Sequence, residues 1–319
     1  METRTKRSNK GFIIFEIFIL ILIGLCIYTS YYLDNETKKN KKNIESLKNI
    51  YNDKLVVLDN KEKEIKELDK NIEDIDKKNN EYININKTIN NTKEEFFKEL
   101  KKLEDKILKG KSNRKIAYLT FDDGPYYNTY KVLDILDKYD VKATFFTISA
   151  NGKECFDNKN YNCYKLYNEY IKRGHTIANH TYTHSIFRGL YSSTQNFMRE
   201  IDLQEKHIKK LTGYKTNIIR FPGGSSTAGR LKDSIIKELR KKGYGWVDWT
   251  AEDGDGKGIS SEAQGWSNLK PGINNNIEVI LFHDYNSVTT KMLPDIIKYL
   301  RNNGYELYPL FYESNMVNK

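Results

Sequence analysis

The sequence predicts an α/β fold, a parallel sheet with helices packed on it, carried by an N-terminal apolar segment and a helical stalk. Three observations predict it. From about residue 113 onward, short apolar runs alternate with longer amphipathic ones. From Asn43 to Lys109, apolar residues recur every seven positions. At the N-terminus, Gly11–Leu33 (GFIIFEIFILILIGLCIYTSYYL) is an apolar run long enough to span a bilayer.

Glu16 is the only charge within that run, and Arg4, Lys6, Arg7 and Lys10 precede it, which favours an inside N-terminus. The run exceeds a usual signal-peptide core and shows no small-x-small cleavage site, so an uncleaved anchor is expected, with a cleaved leader as its rival. This gives a cytoplasmic tail (1–10), a transmembrane anchor (11–33), a stalk (34–112) and a globular domain (113–319).

In the stalk one seam position holds Ile44, Tyr51, Leu58, Ile65, Ile72, Leu100 and Ile107. The other holds Leu47, Leu68, Ile75, Tyr82, Ile89, Phe96 and Leu103. Lys54, Lys61, Asn79, Asn86 and Lys93 interrupt the seam. A coiled coil of roughly 65 residues would reach about 100 Å, and a parallel homodimer is its simplest form. A single solvated helix is the alternative.

The chain has 319 residues, a net charge of +10 and three cysteines. The basic excess is spread along the chain, so nucleic acid is not the expected partner. A mildly cationic protein suits an anionic surface such as a cell wall or a lipid headgroup layer. Cys155 and Cys163 lie close together in a polar loop, where a disulfide is expected if the loop is outside the cell and two free thiols otherwise.

In the globular part, strands are expected at Ile116–Phe121, Ala143–Ile148, Thr176–Asn179, Asn217–Phe221, Gly245–Trp249, Val279–His283 and Glu306–Leu310. Helices are expected around Asn128–Tyr139, Lys165–Arg173, Ser193–Leu211, Leu231–Lys242 and Thr290–Asn302. Such alternation argues for a parallel sheet, open or closed into a barrel, with chemistry at the carboxyl ends of its strands. Polar clusters do fall there. TFDDGP (from Thr120) follows the first strand, NHTYTH the third, RFPGGS the fourth, DWTAEDGDG the fifth and LFHD the sixth.

A pair of histidines four apart, His180 and His184, can face the same side of one helical turn and suits a divalent metal. One aspartate completes a three-ligand set with open positions for water and substrate. The adjacent Asp122 and Asp123 then have different work. One binds the metal; the other stays free to take a proton from the attacking water. A base asks for an acid on the other side, and His283 can protonate a leaving nitrogen if Asp255 or Asp253 keeps it charged. Arg220 can pin the base. His175 reads as structural and His207 as solvated. Trp246, Trp249 and Trp266 are candidates for stacking on sugar rings.

These five ordered motifs resemble those of the polysaccharide deacetylases, carbohydrate esterase family 4, over roughly residues 113–312. The resemblance implies a distorted (β/α)7 TIM-like barrel. It implies metal-dependent removal of N-acetyl groups from amino-sugar polymers. Zn2+ is the implied ion, and Co2+, Mn2+ or Fe2+ suits the same donors. It makes Asp122 the general base, Asp123, His180 and His184 the metal ligands, Arg220 the residue that orients Asp122, and His283 the general acid supported by Asp255. It gives substrate contacts to Leu281, which lines the acetyl pocket, and to the backbone N–H of Tyr126 as oxyanion donor. Pro222, in the rigid RFPGG turn, and Trp249, through its ring, are further candidate substrate contacts read from the residues themselves. Gly256 stands where the family usually has Trp.

The expected protein is therefore a membrane-anchored, extracytoplasmic deacetylase of N-acetylglucosamine residues in peptidoglycan. Location suggests the wall polymer, and the intact aspartate pair favours glucosamine over muramic acid. Deacetylation of muramic acid residues, poly-N-acetylglucosamine or chitin oligomers is the near alternative. A metallopeptidase or amidase acting on the peptide stem is more distant. A non-catalytic wall-binding scaffold is the rival of another class, and it would be expected to have lost at least one site residue.

Overall fold

The computed structural model describes residues 91–149 and 163–319, with scattered positions between 22 and 42 and residue 75. It divides into two units, Met1–Lys98 and Glu99–Lys319. In the first, the described positions within 22–42, residue 75 and residues 91–98 are helical. Most of the apolar run and most of the heptad segment lie outside the described residues. Among the described residues no helix is long and apolar enough to cross a membrane.

The second unit contains one eight-stranded sheet. Its strands are β1 (Lys115–Asp122), β2 (Thr144–Thr147), β3 (Thr176–Asn179), β4 (Ile218–Ile219), β5 (Gly245–Trp246), β6 (Ala251–Glu252), β7 (Ile277–His283) and β8 (Tyr305–Leu307). The α-helices that follow β1 are α1 (Thr129–Lys138), α2 (Tyr164–Lys172), α3 (Thr194–Thr212), α4 (Lys232–Lys241), α5 (Glu262–Gly272) and α6 (Ser287–Asn302). The strand order is β5-β4-β3-β2-β1-β7-β6, with β8 paired to the first residues of β1. Every pair is parallel. The parallel α/β architecture is as expected. The sheet is consistent with the expected distorted barrel, left open: it has eight strands, and among the described residues no pair joins β5 to β6. β4, β5 and β6 are two residues long, too short to carry a ladder around the ring.

Alternation along the strands sets the faces. In β1, Ala117, Leu119 and Phe121 join the main apolar core, as do Ile280 and Phe282 of β7. The opposite face carries Tyr118, Thr120 and Asp122 of β1 and Leu281 and His283 of β7. Register places Asp122 level with His283 on one side and Phe146 on the other. A second core, with Phe197, Ile201, Ile235 and Leu239, packs α3 and α4 against β4 and β5. The β5 edge is covered by the chain's last residues, through an antiparallel bridge between Trp246 and Asn318. Gly245 permits that approach, since a Cβ there would lie 2.4 Å from Val317.

Two elements were not expected. β6 is too short to show a period, and α5 (EAQGWSNLKPG) holds two glycines and a proline, poor signals for a helix. The domain boundary also differs from residue 113, because the compact unit starts at Glu99. Its first residues, 99–108, are helical. Leu100, Leu103 and Ile107, read above as seam positions, are only 2%, 7% and 5% exposed within this unit. An amphipathic stripe does not say what covers it. Buried Glu104 accepts hydrogen bonds from Tyr118 Oη (2.5 Å), Ser314 Oγ (2.5 Å) and the Asn315 amide (2.7 Å).

A chain starting at residue 113 should therefore be less stable than one starting at residue 91. Losing the burial of three large apolar side chains costs about 5–9 kcal/mol at roughly 1.5–3 kcal/mol each. Urea denaturation of the two lengths measures the difference.

Candidate active site

DDGP turns sharply at the end of β1. Asp122 continues the strand and is 2% exposed, whereas Asp123 takes φ +68° and turns its side chain away from that line. A positive φ in a non-glycine residue is uncommon and is held by its surroundings. Gly124 is demanded by packing, since a Cβ there would lie 2.5 Å from Asp284 Oδ2. Asp284 is buried and accepts the Thr129 hydroxyl at 2.5 Å. Burial raises its pKa to about 7. LFHD displays Asp284 in the sequence, but nothing there gives it this supporting task.

Asp123, His180 and His184 converge. Asp123 Oδ1 lies 3.5 Å from His180 Nε2 and 3.4 Å from His184 Nε2. One ligand atom from each of the three falls within 4.8 Å of the others. The histidine pair does not lie on a helical turn, as the spacing suggested. Residues 180–185 form an irregular bend with Thr181 at φ +69° and His184 at φ +52°. Side chains hold the bend. Asn179 Oδ1 accepts the Thr181 amide (2.9 Å), Thr181 Oγ1 the His184 amide (3.2 Å), and Glu200 Oε2 both the amide and hydroxyl of Thr183 (2.8 Å each).

The donor set fits a divalent cation. His180 Nδ1 is 2.8 Å from the Arg220 carbonyl, an acceptor, so the proton resides on Nδ1 and Nε2 presents its lone pair. Burial, followed by the neighbouring His184, lowers the His180 pKa to about 3, so the ring is neutral as a ligand must be. Asp123 Oδ1 is buried and faces both imidazoles. Two nitrogens and one carboxylate oxygen suit zinc and related ions.

Asp122 lies beside this set and is separately held. Arg220, 0% exposed, donates from Nη1 to Asp122 Oδ1 and to Thr120 Oγ1, each at 2.8 Å. Its other nitrogens reach the carbonyls of Val247 (3.2 Å) and Asp248 (3.3 Å). Its guanidinium stacks 4.2 Å from the centre of the Phe146 ring. Burial raises the pKa of Asp122 against the opposing charge of Arg220. A carboxylate so placed is a better base than one in water.

On the far side, His283 Nδ1 meets Asp255 Oδ1 at 2.6 Å, and Asp255 Oδ2 accepts the His283 amide at 2.7 Å. His283 Nε2 points inward, 3.8 Å from Asp123 Oδ2. Burial works against a charged ring. The hydrogen bond and charge of Asp255, then Asp123 and Asp122, outweigh it and raise the His283 pKa to about 9. A bound cation would oppose part of that rise.

Known proteins resemble part of this chain. The family model for polysaccharide deacetylase matches residues 109–247. A peptidoglycan-N-acetylglucosamine deacetylase of Bacillus cereus is 32% identical over 207 residues, spanning 63% of this chain and 71% of that protein. This chain belongs to the polysaccharide deacetylase family. The catalytic domain of a peptidoglycan N-acetylglucosamine deacetylase from Eubacterium rectale matches with a TM-score of 0.58 at 33% identity, covering 65% of this chain and 93% of that one. A polysaccharide deacetylase structure from Bacillus cereus gives 0.56 at 31% identity, covering 63% and 95%.

The remaining expected contacts of this deacetylase divide. Leu281 lies on the same face as His283 and is 5% exposed. Trp249 is half-buried, 5.7 Å from the Arg220 guanidinium and against Gly224, on the rim of the site. Pro222 is buried, and its carbonyl accepts the Tyr191 hydroxyl at 2.8 Å. The Tyr126 amide, expected as an oxyanion donor, instead donates to Thr129 Oγ1 at 2.8 Å. The sequence could not show this, because it does not reveal that the first residue of α1 turns its hydroxyl back onto that amide.

Trp246 packs in the second core, and Trp266 packs beside the first, edge-on to Tyr299 at 5.4 Å. His175 is structural as expected, its Nδ1 accepting the Ala143 amide at 3.1 Å. His207 is not solvated: it is half-buried among the rings of Tyr164 (5.4 Å), Tyr167 (5.4 Å) and Tyr182 (5.9 Å). Cys163 is disulfide-bonded, and Cys155 lies outside the described residues. Asp248 was missed; it caps the RFPGGS turn by accepting the Ser225 amide (2.9 Å) and hydroxyl (2.5 Å).

Gly256 borders the acid directly. A Cβ there would sit 2.7 Å from His283 Cε1, so no larger side chain fits while His283 holds this position. Gly256→Ala should displace the ring and lower kcat at least about tenfold, within the roughly 10²–10⁴-fold worth of a general acid; steady-state kinetics at constant metal loading would test it. Asp255→Asn removes the charge that favours the imidazolium. Activity that needs protonated His283 falls as pH rises through its pKa, so the alkaline limb of the kcat profile should move to lower pH in this variant.

Proposed function

We propose that this enzyme hydrolyses the N-acetyl groups of N-acetylglucosamine residues in peptidoglycan, with a divalent cation held by Asp123, His180 and His184. One observation carries the chemistry: a three-ligand set lies between an arginine-held carboxylate and a carboxylate-held imidazole. When bound, the cation supplies Lewis-acid polarisation of the acetamide carbonyl and acidifies water beside it. Asp122, fixed by Arg220, takes the proton of the attacking water. His283 gives a proton from Nε2 to the amine as the carbon–nitrogen bond breaks. Water is consumed, and acetate and a free amine leave. Zinc is the proposed ion; Co2+, Mn2+ and Fe2+ suit the same donors.

The names of the relatives above support the glycan. The apolar run at 11–33 and the heptads that follow support a single-pass anchor, a stalk that can pair as a homodimer, and a catalytic unit facing the wall. Trp249, at the rim, suits a sugar face.

Acetate release by the full chain, with and without added zinc, tests this on isolated peptidoglycan beside chitin oligomers. Metal-dependent release with the new amine on glucosamine is the expected result. Amine on muramic acid, or release from chitin alone, would change the substrate. No release from any glycan by folded, metal-loaded protein would favour a wall-binding scaffold. Asp122→Asn should lose at least about 100-fold in kcat while binding metal normally.

A further inference from the structure

The acid His283 is supported by more than Asp255. Behind it lies a second carboxyl, Asp253, 0% exposed. The two carboxyls share one hydroxyl. Thr289 Oγ1 is 2.7 Å from Asp253 Oδ2 and 2.9 Å from Asp255 Oδ2. A threonine hydroxyl has one proton to donate. Between two ionised carboxylates it can satisfy only one, leaving two buried lone pairs facing each other at hydrogen-bond distance. One of the carboxyls must therefore bring a proton of its own.

The remaining contacts say which. Asp255 accepts the His283 amide on Oδ2 and faces His283 Nδ1 with Oδ1, so both its oxygens already face donors. Asp253 Oδ1 accepts the Asp255 amide at 3.0 Å, and its Oδ2 faces the Thr289 oxygen at 2.7 Å with the Asp255 carboxyl alongside; among the described residues no N–H donates to that oxygen. We infer that Asp253 carries a proton on Oδ2 at neutral pH, donates it to Thr289 Oγ1, and so directs the threonine hydroxyl onto Asp255, making Asp253 a positioning residue for the acid His283. The order is Asp253 to Thr289 to Asp255 to His283. Burial and then the adjacent Asp255 charge raise the Asp253 pKa to about 7, in the same direction. The charge left on the Asp255–His283 pair is one negative and one positive, rather than two negatives against one.

This rests on the deacetylase reading for its kinetic half only. Infrared difference spectra of the full chain at pH 7, wild type minus Asp253→Asn, read the proton directly. A carboxylic-acid carbonyl band that shifts in D2O and vanishes with the substitution is expected. Its absence overturns the inference whether or not the enzyme turns over acetylated glycan. In kinetics, Asp253→Ala and Thr289→Val should each lower kcat about tenfold with little change in KM, a fraction of the general-acid contribution. Asp253→Asn keeps both a donor and an acceptor and should restore most of the loss seen in Asp253→Ala. If Asp253→Asn is as impaired as Asp253→Ala, the residue works as a carboxylate and the inference fails. Wild type without activity, with the band present, would sink the deacetylase reading and leave the proton in place.

Discussion

Arg220 ties the catalytic ends of the sheet together. Its amide donates to the Asn179 carbonyl at the end of β3 (3.0 Å), and its own carbonyl accepts His180 Nδ1. Its guanidinium reaches Asp122 and Thr120 on β1 and the carbonyls of Val247 and Asp248 beyond β5. One residue thus fixes the base, the tautomer of a metal ligand and the spacing of β1, β3, β4 and β5. The buried ion pair need not add net stability, since desolvating two charges costs about as much as their attraction returns. Breaking it is another matter, because a lone buried charge is left on either side. The pair is better understood as a device for holding geometry.

That geometry lets two neighbouring aspartates do different work. Their sequence positions differ by one and their environments differ completely. Asp122 stays in the strand, buried and paired. Asp123 turns through a left-handed φ into reach of two imidazoles. Across the site the acid is arranged with the opposite electrostatic bias: carboxyl groups stand behind an imidazole and favour its charged form. Burial makes Asp122 more basic while Arg220 favours its ionised form, and the negative charge behind His283 favours the imidazolium that an acid needs.

Much of this was legible because parallel sheets concentrate polar residues at strand ends. TFDDGP, RFPGGS and LFHD stand out as acidic or basic groups following apolar runs, and the structure brings their Asp122, Asp123, Arg220 and His283 together. The less legible parts share physical reasons. Spacing of four suggested a helical turn for His180 and His184, whereas Asn179, Thr181 and Glu200 hold an irregular bend with the same reach. Thr289 and Asp253 meet only in three dimensions. Heptad periodicity marked Leu100, Leu103 and Ile107 as apolar, but a stripe does not name its partner, and here the partner is the sheet's own unit. The Tyr126 amide and the His207 ring were misjudged because local side-chain neighbours decide where a donor or a ring goes.

The junction formed by Glu104 with Ser314 and Asn315 has a topological consequence. Lys101 and Asp105 also bind Asn315, so the first helix of this unit and its final residues are bonded neighbours. A compact unit whose entry and exit adjoin can be cut and rejoined elsewhere, or spliced into a surface loop of a host protein, without stretching its interior. Its catalytic cleft is thereby portable, because the architecture asks of any carrier only two neighbouring attachment points.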